Sequence, residues 1–554
     1  MTTISGMNYF WAIIACVLLA ESRPHKKTEA LYSTFHSRPD LRAPILHIYE
    51  KNADLVQPGY FFLTPYGGSL AQQTAYIYDN DGELVWSGFG AVGPRTSQNL
   101  HVCGYIPHLC LFQGEQQSNG WSRGHGVILD VSYRVAASVE AGGSDGMLAD
   151  MHVLKMIDGG ESAIISTYGP RRWDMTALGH ESGVGWILES GFQEIDVMTG
   201  ALLFEWASLD HIPPEEGLVA PSSSRTGRGT GRSSDDPWDY FHLNSVDKMS
   251  DGDYIVSASH TSTIYRVEGK TGEIVWRVEG VGSGGGGYAK LDGLEFSFPQ
   301  DVRILHEADD ETTLSIFDNA ANQPGDSSAG RHASGKIIQL NHTDHTARLL
   351  RSYPSPRRKL GSSQGGSMQP LDPGGVSTSL DAELPLPGNA IICWGDVGSF
   401  SEVDAETGEV ALDAGFDNRL DAMLYRVYKS NWTARPLTLP ALWTYSLNGS
   451  ETGSSSMTGY VSWNGATEVR TWKLHGSADG SNGPWIIVDE VSKKGFETAF
   501  RVDGYYGRTY AEALDEEGNV LGSSKVTETF VFGAYFDSAE PQFPENRSRR
   551  AWRL

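Results

Sequence analysis

The sequence predicts an all-β chain, a six-bladed β-propeller followed by a small β-sandwich, on three observations. Sixty-four glycines beside 15 tryptophans and 23 tyrosines, with few long helical periodicities, point to many short strands joined by tight turns. A hairpin unit of strand, acidic or glycine turn, and strand recurs between Ala75 and Leu412. From about Trp443 the pattern changes to a different set of alternating strands.

The first 20 residues stand apart. The apolar run from Phe10 to Ala20 is too short to span a bilayer comfortably and suits the core of a signal peptide over residues 1–20. No Lys or Arg precedes it, so an uncleaved anchor or a misassigned start is the alternative. Asn-X-Ser/Thr sequons at Asn341, Asn431, Asn448 and Asn546 are compatible with a glycoprotein on a secretory, extracellular route. Of four cysteines, Cys16 leaves with the signal. Cys103 and Cys110 are spaced either to pair across a hairpin or to remain buried thiols.

Residues 38–432 carry the predicted propeller. The repeated hairpin appears as AYIYDNDGELVW at Ala75, GVILDVSYRVAASV at Gly126, FQEIDVMTGALLFEW at Phe192, STIYRVEGKTGEIVW at Ser262, GKIIQLNHTDHTARLL at Gly335 and FSEVDAETGEVAL at Phe400. Each fits the outer hairpin of a four-stranded blade. A β-sandwich or β-solenoid built of similar hairpins is the alternative, because short strands alone do not fix closure. Inserts rich in Gly, Ser and Pro at Ala220, Gly280, Ala321 and Ser355 read as loops, either covering the channel mouth or lying free in solvent. Residues 440–532 read as a seven-strand sandwich with Trp463 and Trp472 as core anchors, and 533–554 as a flexible tail.

Composition narrows function. With 43 basic against 69 acidic residues the net charge is −26, which repels nucleic acid and anionic membranes at long range. No CxxC or other metal spacing occurs, and P-loop, GxGxxG, GxSxG and HExxH patterns are absent in a fitting context. No metal and no nucleotide cofactor is implied.

The candidate site lies between Asp239 and Arg303. His242 and Asn244 sit in a run that reads as buried strand, and alternation places them on one face. In FSFPQDVRIL the polar pair Gln300-Asp301 precedes Arg303. Arg303 shares parity with Asp301, so it either faces a ligand as a cation or pairs with that carboxylate. Polar side chains aimed inward from adjacent strands make a pocket.

Several segments carry a family resemblance: RPDLRAPIL at Arg38, PGYFFLTPYG at Pro58, ADMHVLKM at Ala149, PWDYFHLNSVDK at Pro237, SASHTSTIY at Ser257 and SIFDNA at Ser315. Together they resemble the fungal branch of the arylsulfotransferases (ASST), and the C-terminal strands resemble a fibronectin type III or immunoglobulin-like module. The resemblance implies a six-bladed propeller and PAPS-independent sulfuryl transfer from an aryl sulfate to a phenol through a transiently sulfated histidine. It places His152, His242 and Asn244 in the catalytic channel, the last two as donors to the sulfuryl oxygens. Two positions depart from the family pattern. Ser259 stands where an arginine clamps the anion, and Gln300 stands where the nucleophilic histidine belongs. An amide cannot form the covalent intermediate.

Strand alternation from Ser259 directs the adjacent His260 away from the channel. The favoured reading is therefore a secreted arylsulfotransferase-like propeller that binds a phenolic or aromatic small molecule, its covalent route impaired. His242, His152 and Asn244 are its catalytic candidates, and Asp301, Arg303, Gln300 and Ser259 its substrate-binding candidates. The alternatives are a working arylsulfotransferase with a rearranged nucleophile and a non-catalytic binding or scaffold protein.

Overall fold

The computed structural model describes residues 30–531, apart from 93–96, 118, 144–145, 177–182, 222–227, 284–286, 321–331, 357–363, 372–387, 448–455 and 478–482. The predicted signal segment and tail lie outside the described residues, as do the central parts of the four low-complexity inserts. The described chain is all-β; apart from short 3-10 turns its regular structure is strand.

Up to Ser430 the strands form six sheets of four or five strands, antiparallel except where Trp238–Asp239 and Ala289–Leu291 pair in parallel, and one two-stranded sheet of Tyr32–Thr34 and Arg42–Pro44. Each of the six repeated hairpins is an antiparallel pair inside one sheet. Five of the larger sheets have at one edge the end strands Ser97–Cys103, Leu148–Ile157, Leu243–Lys248, Gln300–Glu307 and Ser367–Pro370. The remaining sheet joins the two ends of this region. Its end strand Met423–Ser430 pairs with Tyr60–Tyr66, which continues into Tyr76–Tyr78 and Leu84–Ser87. The N-terminal strand His47–Lys51 likewise adds to the late strand Val410–Gly415.

Burial follows position within each sheet. Next to the end strands some strands are buried throughout, as are Tyr254–Ala258 and Asn389–Cys393, and these segments read as continuous apolar runs. Outer strands such as Leu202–Ala207 and Thr346–Pro354 turn several of their side chains to solvent. The core is divided between the sheets. Phe62, Ile77 and Trp86 of the joining sheet cluster with Leu109, Leu111 and Val127 of the next. Cys110 and Ile128 then meet Leu154 and Ile165, Ile164 and Phe192 meet Val246 and Val256, and Ile255 and Ile264 meet Val302 and Leu314. Phe317 and Ile337 meet Ile392 and Trp394, and Ile391 and Phe400 return to Phe61 and Tyr76 of the joining sheet.

From Ala441 onward two further sheets enclose one apolar core that contains Trp463, Trp472, Leu474 and Phe500. This unit is held against the rest by polar contacts. The Asn464 side-chain amide accepts from Ser87 N at 2.9 Å and donates to the Ser87 carbonyl at 2.8 Å. Gly465 has φ +92°, and a Cβ there would fall 2.4 Å from the Tyr133 ring, so the close approach requires glycine. Cys103 and Cys110 form a disulfide across a hairpin.

The sheet carrying Ser367–Pro370 and the joining sheet also share an ion pair. Lys429 Nζ lies 2.6 Å from Glu402 Oε2 with both side chains inaccessible. Burial lowers the Lys429 pKa, and Glu402 only partly offsets it. Removing one partner of such a pair strands the other charge. Lys429→Met is expected to lower unfolding stability by about 3–5 kcal/mol, whereas breaking the half-exposed Lys51–Asp81 pair costs less than about 1 kcal/mol. Urea denaturation of the two variants checks this contrast.

Candidate functional site

Five of the six end strands carry a register shift, and the shifted residues converge. The shifts fall between Gln98 and His101, Asp150 and Leu154, Leu243 and Ser245, Gln300 and Arg303, and Leu424 and Val427. A bulge re-aims side chains that regular alternation sends elsewhere. Asn99, His242 and Asp301 also hold φ of 61°, 55° and 48°, a left-handed conformation that costs non-glycine residues on the order of 1–2 kcal/mol each.

Three histidines stand in a row. The rings of His152 and His242 are 4.8 Å apart and nearly perpendicular, and those of His242 and His260 are 4.7 Å apart and stacked. Each Nδ1 is engaged. His152 bonds Asp150 Oδ1 at 2.5 Å, His242 bonds Asp239 Oδ2 at 2.5 Å, and His260 bonds the Asp239 carbonyl at 2.7 Å. Placing the hydrogen on Nδ1 leaves Nε2 of each neutral ring as an acceptor. His242 is the more open of the facing pair, its side chain 14% exposed against 2% for His152.

The two Asp–His pairs are tuned apart. Burial pushes His152 down, and Asp150 does not recover it. Burial also acts on His242, but the Asp239 charge and hydrogen bond outweigh it and raise this ring. Both carboxylates stay low, because the histidines oppose the effect of burial. Asp150 is further held by Ser122 N at 2.7 Å.

Beneath the histidines lies a buried guanidinium. Arg426 donates from Nη1 to the His152 carbonyl at 3.0 Å, and from Nη2 to the Asn244 carbonyl and Oδ1 at 2.9 and 3.0 Å. Asn244 Oδ1 also accepts from Asp301 N at 2.9 Å, so Nδ2 is the donor left unpartnered among the described residues. Asp301 Oδ1 takes Arg303 Nη2 at 2.8 Å and Arg426 Nη1 at 3.4 Å. Burial raises the Asp301 carboxyl, and the two arginines together hold it below its usual value.

The structure thus brings His152, His242, Asn244 and Asp301 together. His242 does not share a strand face with Asn244; it precedes Leu243–Lys248 in a left-handed turn and reaches the group that way. Arg303 takes the second of its two sequence readings, pairing with Asp301. Ser259 donates to the Pro299 carbonyl at 3.1 Å, and its N bonds the His242 carbonyl at 3.0 Å. Position 259 therefore does adjoin the 299–300 segment. Gln300 is buried with Oε1 unpartnered among the described residues.

The expectation that His260 faces away is corrected. Tyr254–Ala258 ends before it and Ser259–Ser262 form a turn, so strand alternation does not apply and the ring stacks on His242. Asp239, His242 and His260 offer donor atoms within 4.8 Å of one another, but each Nδ1 is already bonded. Sequence reading missed Asp150, Asp239 and Arg426. The carboxylates carried a signal, two and three residues before a channel histidine. Arg426 lies in the bulged strand Met423–Ser430, and no motif in the sequence marked it.

His260 is pushed down to about 4, chiefly by burial, as is His101 at the opposite end of the group. Both rings are neutral in the fold, whereas the unfolded chain protonates them near about 6.5. Between those values the unfolded state binds more protons, so stability is complete above pH 6.5 and is lost as pH falls toward 4. Each ring contributes up to about 1.4 kcal/mol per pH unit. The urea midpoint is expected to fall across this window, with a shallower slope in His260→Asn; equal slopes contradict the assignment.

The arylsulfotransferase (ASST) family model matches residues 108–417, more than half of the chain. No curated protein matches. Among solved structures the chain is similar to a protein of unknown function from Bacteroides caccae, at 14% identity over 67% of this chain and 99% of that one, TM-score 0.35. It is also similar to the Kuenenia stuttgartiensis hydrazine synthase, at 11% identity over 65% and 79%, TM-score 0.32. Likenesses this distant carry no argument about chemistry.

Proposed function

The chain belongs to the arylsulfotransferase family, and from that premise we propose that it binds a phenolic small molecule at the histidine group, with the family's covalent route through position 300 impaired. The observation that carries this reading is the pair of Asp–His dyads facing each other at 4.8 Å. They offer acid–base chemistry to a phenol beside a glutamine that cannot be sulfated. Asn244 Nδ2 supplies a donor for developing negative charge.

A second reading, direct sulfuryl transfer, is favoured by the split between the two dyads. Neutral His152 takes the proton of the accepting phenol as its oxygen bonds sulfur, while the sulfur–oxygen bond to the leaving aryl group breaks. Protonated His242 gives its proton to that leaving oxygen. One acid and one base pushed apart by their surroundings is what such a step needs.

The larger frame belongs to the same proposal. The cyclic succession of shared cores and the sheet that joins the two ends of the region up to Ser430 support a six-bladed propeller. The two-sheet C-terminal unit is consistent with a fibronectin type III-like module. The Cys103–Cys110 disulfide supports a secretory compartment.

The test is sulfuryl transfer from a chromogenic aryl sulfate to phenol by the full chain. The native protein is expected to be at least about a hundredfold slower than a Gln300→His, Ser259→Arg variant, since both positions adjoin the site. A variant no faster than native contradicts the impaired-route reading. If native turnover is substantial and His242→Ala lowers it by about 10²–10⁴, direct transfer is the correct reading.

A further inference from the structure

The end strands that carry the histidine group enclose a second space at a different depth. A cavity of about 250 Å³ lies among their later residues, bounded by His101, Leu154, Arg303, Met368 and Tyr428. It reaches Asp301, but none of His152, His242, Asn244 or Arg426 lines it. Its size matches the small end of ligand cavities, on the order of 300 Å³.

The charges of the lining are cancelled in place. Arg303 is paired with Asp301 at 2.8 Å, and Lys155 with Asp247. No uncompensated charge is left there to recognise an ion. The wall offers a neutral ring acceptor in His101, beside the hydroxyls of Tyr428 and Ser430. His101 Nδ1 bonds the Asn99 carbonyl at 2.8 Å and so carries the hydrogen. No hydrogen bond among the described residues takes its Nε2. Burial, reinforced by Arg303 and Arg426, keeps this ring neutral at ordinary pH. Tyr428 lies beside it, ring centroids 5.4 Å apart; Leu154, Met156, Leu305 and Met368 supply apolar wall, and Gln369 and Ser430 add polar groups.

We propose that this cavity is a separate binding site for a small uncharged aromatic molecule with a hydroxyl donor, a neutral phenol being the simplest. Its O–H donates to His101 Nε2, and its ring packs against Tyr428, Met156 and Met368. A carboxylate or sulfate ester is excluded, because it brings an unmatched charge and no donor. The site stands independently of sulfuryl transfer.

The test uses the full chain labelled with ¹³C at its methionine methyls and titrated with phenol, anisole and benzoate. Phenol is expected to shift the Met156 and Met368 signals. Anisole, which lacks the donor, is expected to bind at least about tenfold more weakly, and benzoate to leave both signals unmoved. The phenol response is expected to persist in His242→Ala, which separates this site from the histidine group. An unresponsive pair of methyls, as for a cavity holding water alone, overturns the proposal. So does an equal response to anisole, or a response lost in His242→Ala. Failure of the transfer reading appears in the turnover assay and leaves these signals unaffected.

Discussion

The buried guanidinium of Arg426 is the constraint on which the site depends. It rises from the sheet that joins the two ends of the first unit and bonds groups on three other sheets, the His152 carbonyl, the Asn244 carbonyl and amide, and the Asp301 carboxylate. A charge with no access to water costs several kcal/mol unless its donors are met. Here four oxygens meet its two terminal nitrogens, while Nε has no hydrogen-bond partner among the described residues. Because both Arg426 and Asp301 N donate to Asn244 Oδ1, the Asn244 amide can present only its donor to the histidine side. The cation thus fixes the spacing of four sheets and the polarity of the residue above it.

Two chambers follow from this arrangement. The early residues of the end strands build the histidine group, and the later residues of the same strands line the cavity beside His101, with Asp301 common to both. The bulges make this division possible. A regular strand sends alternate side chains outward into the apolar clusters, whereas a shifted register turns consecutive polar residues toward the centre. The left-handed residues Asn99, His242 and Asp301 are the local conformational cost of that turn.

Much of this was legible in the sequence. The six hairpins are period-two patterns bounded by Asp, Asn and Gly turns, and they are paired strands in the structure. Trp463 and Trp472 were readable as anchors because large aromatics between alternating strands have few places to go except a core. His152, His242 and Asn244 were found through motif position. Alternation misled wherever the backbone stopped being a strand, and it failed at His260 because the strand ends at Ala258. Arg426 was illegible, because its partners are two backbone carbonyls, an amide and a carboxylate more than 100 positions distant and no local pattern encodes them.

Asp239 and burial hold the facing histidines of one pocket in opposite protonation states. Ring-nitrogen NMR of His152 and His242 across pH tests this most directly. Near pH 6.5 His242 is expected to be mainly imidazolium while His152 is neutral, and Asp239→Asn is expected to abolish the difference. Titration of both rings together, or in the reverse order, contradicts it.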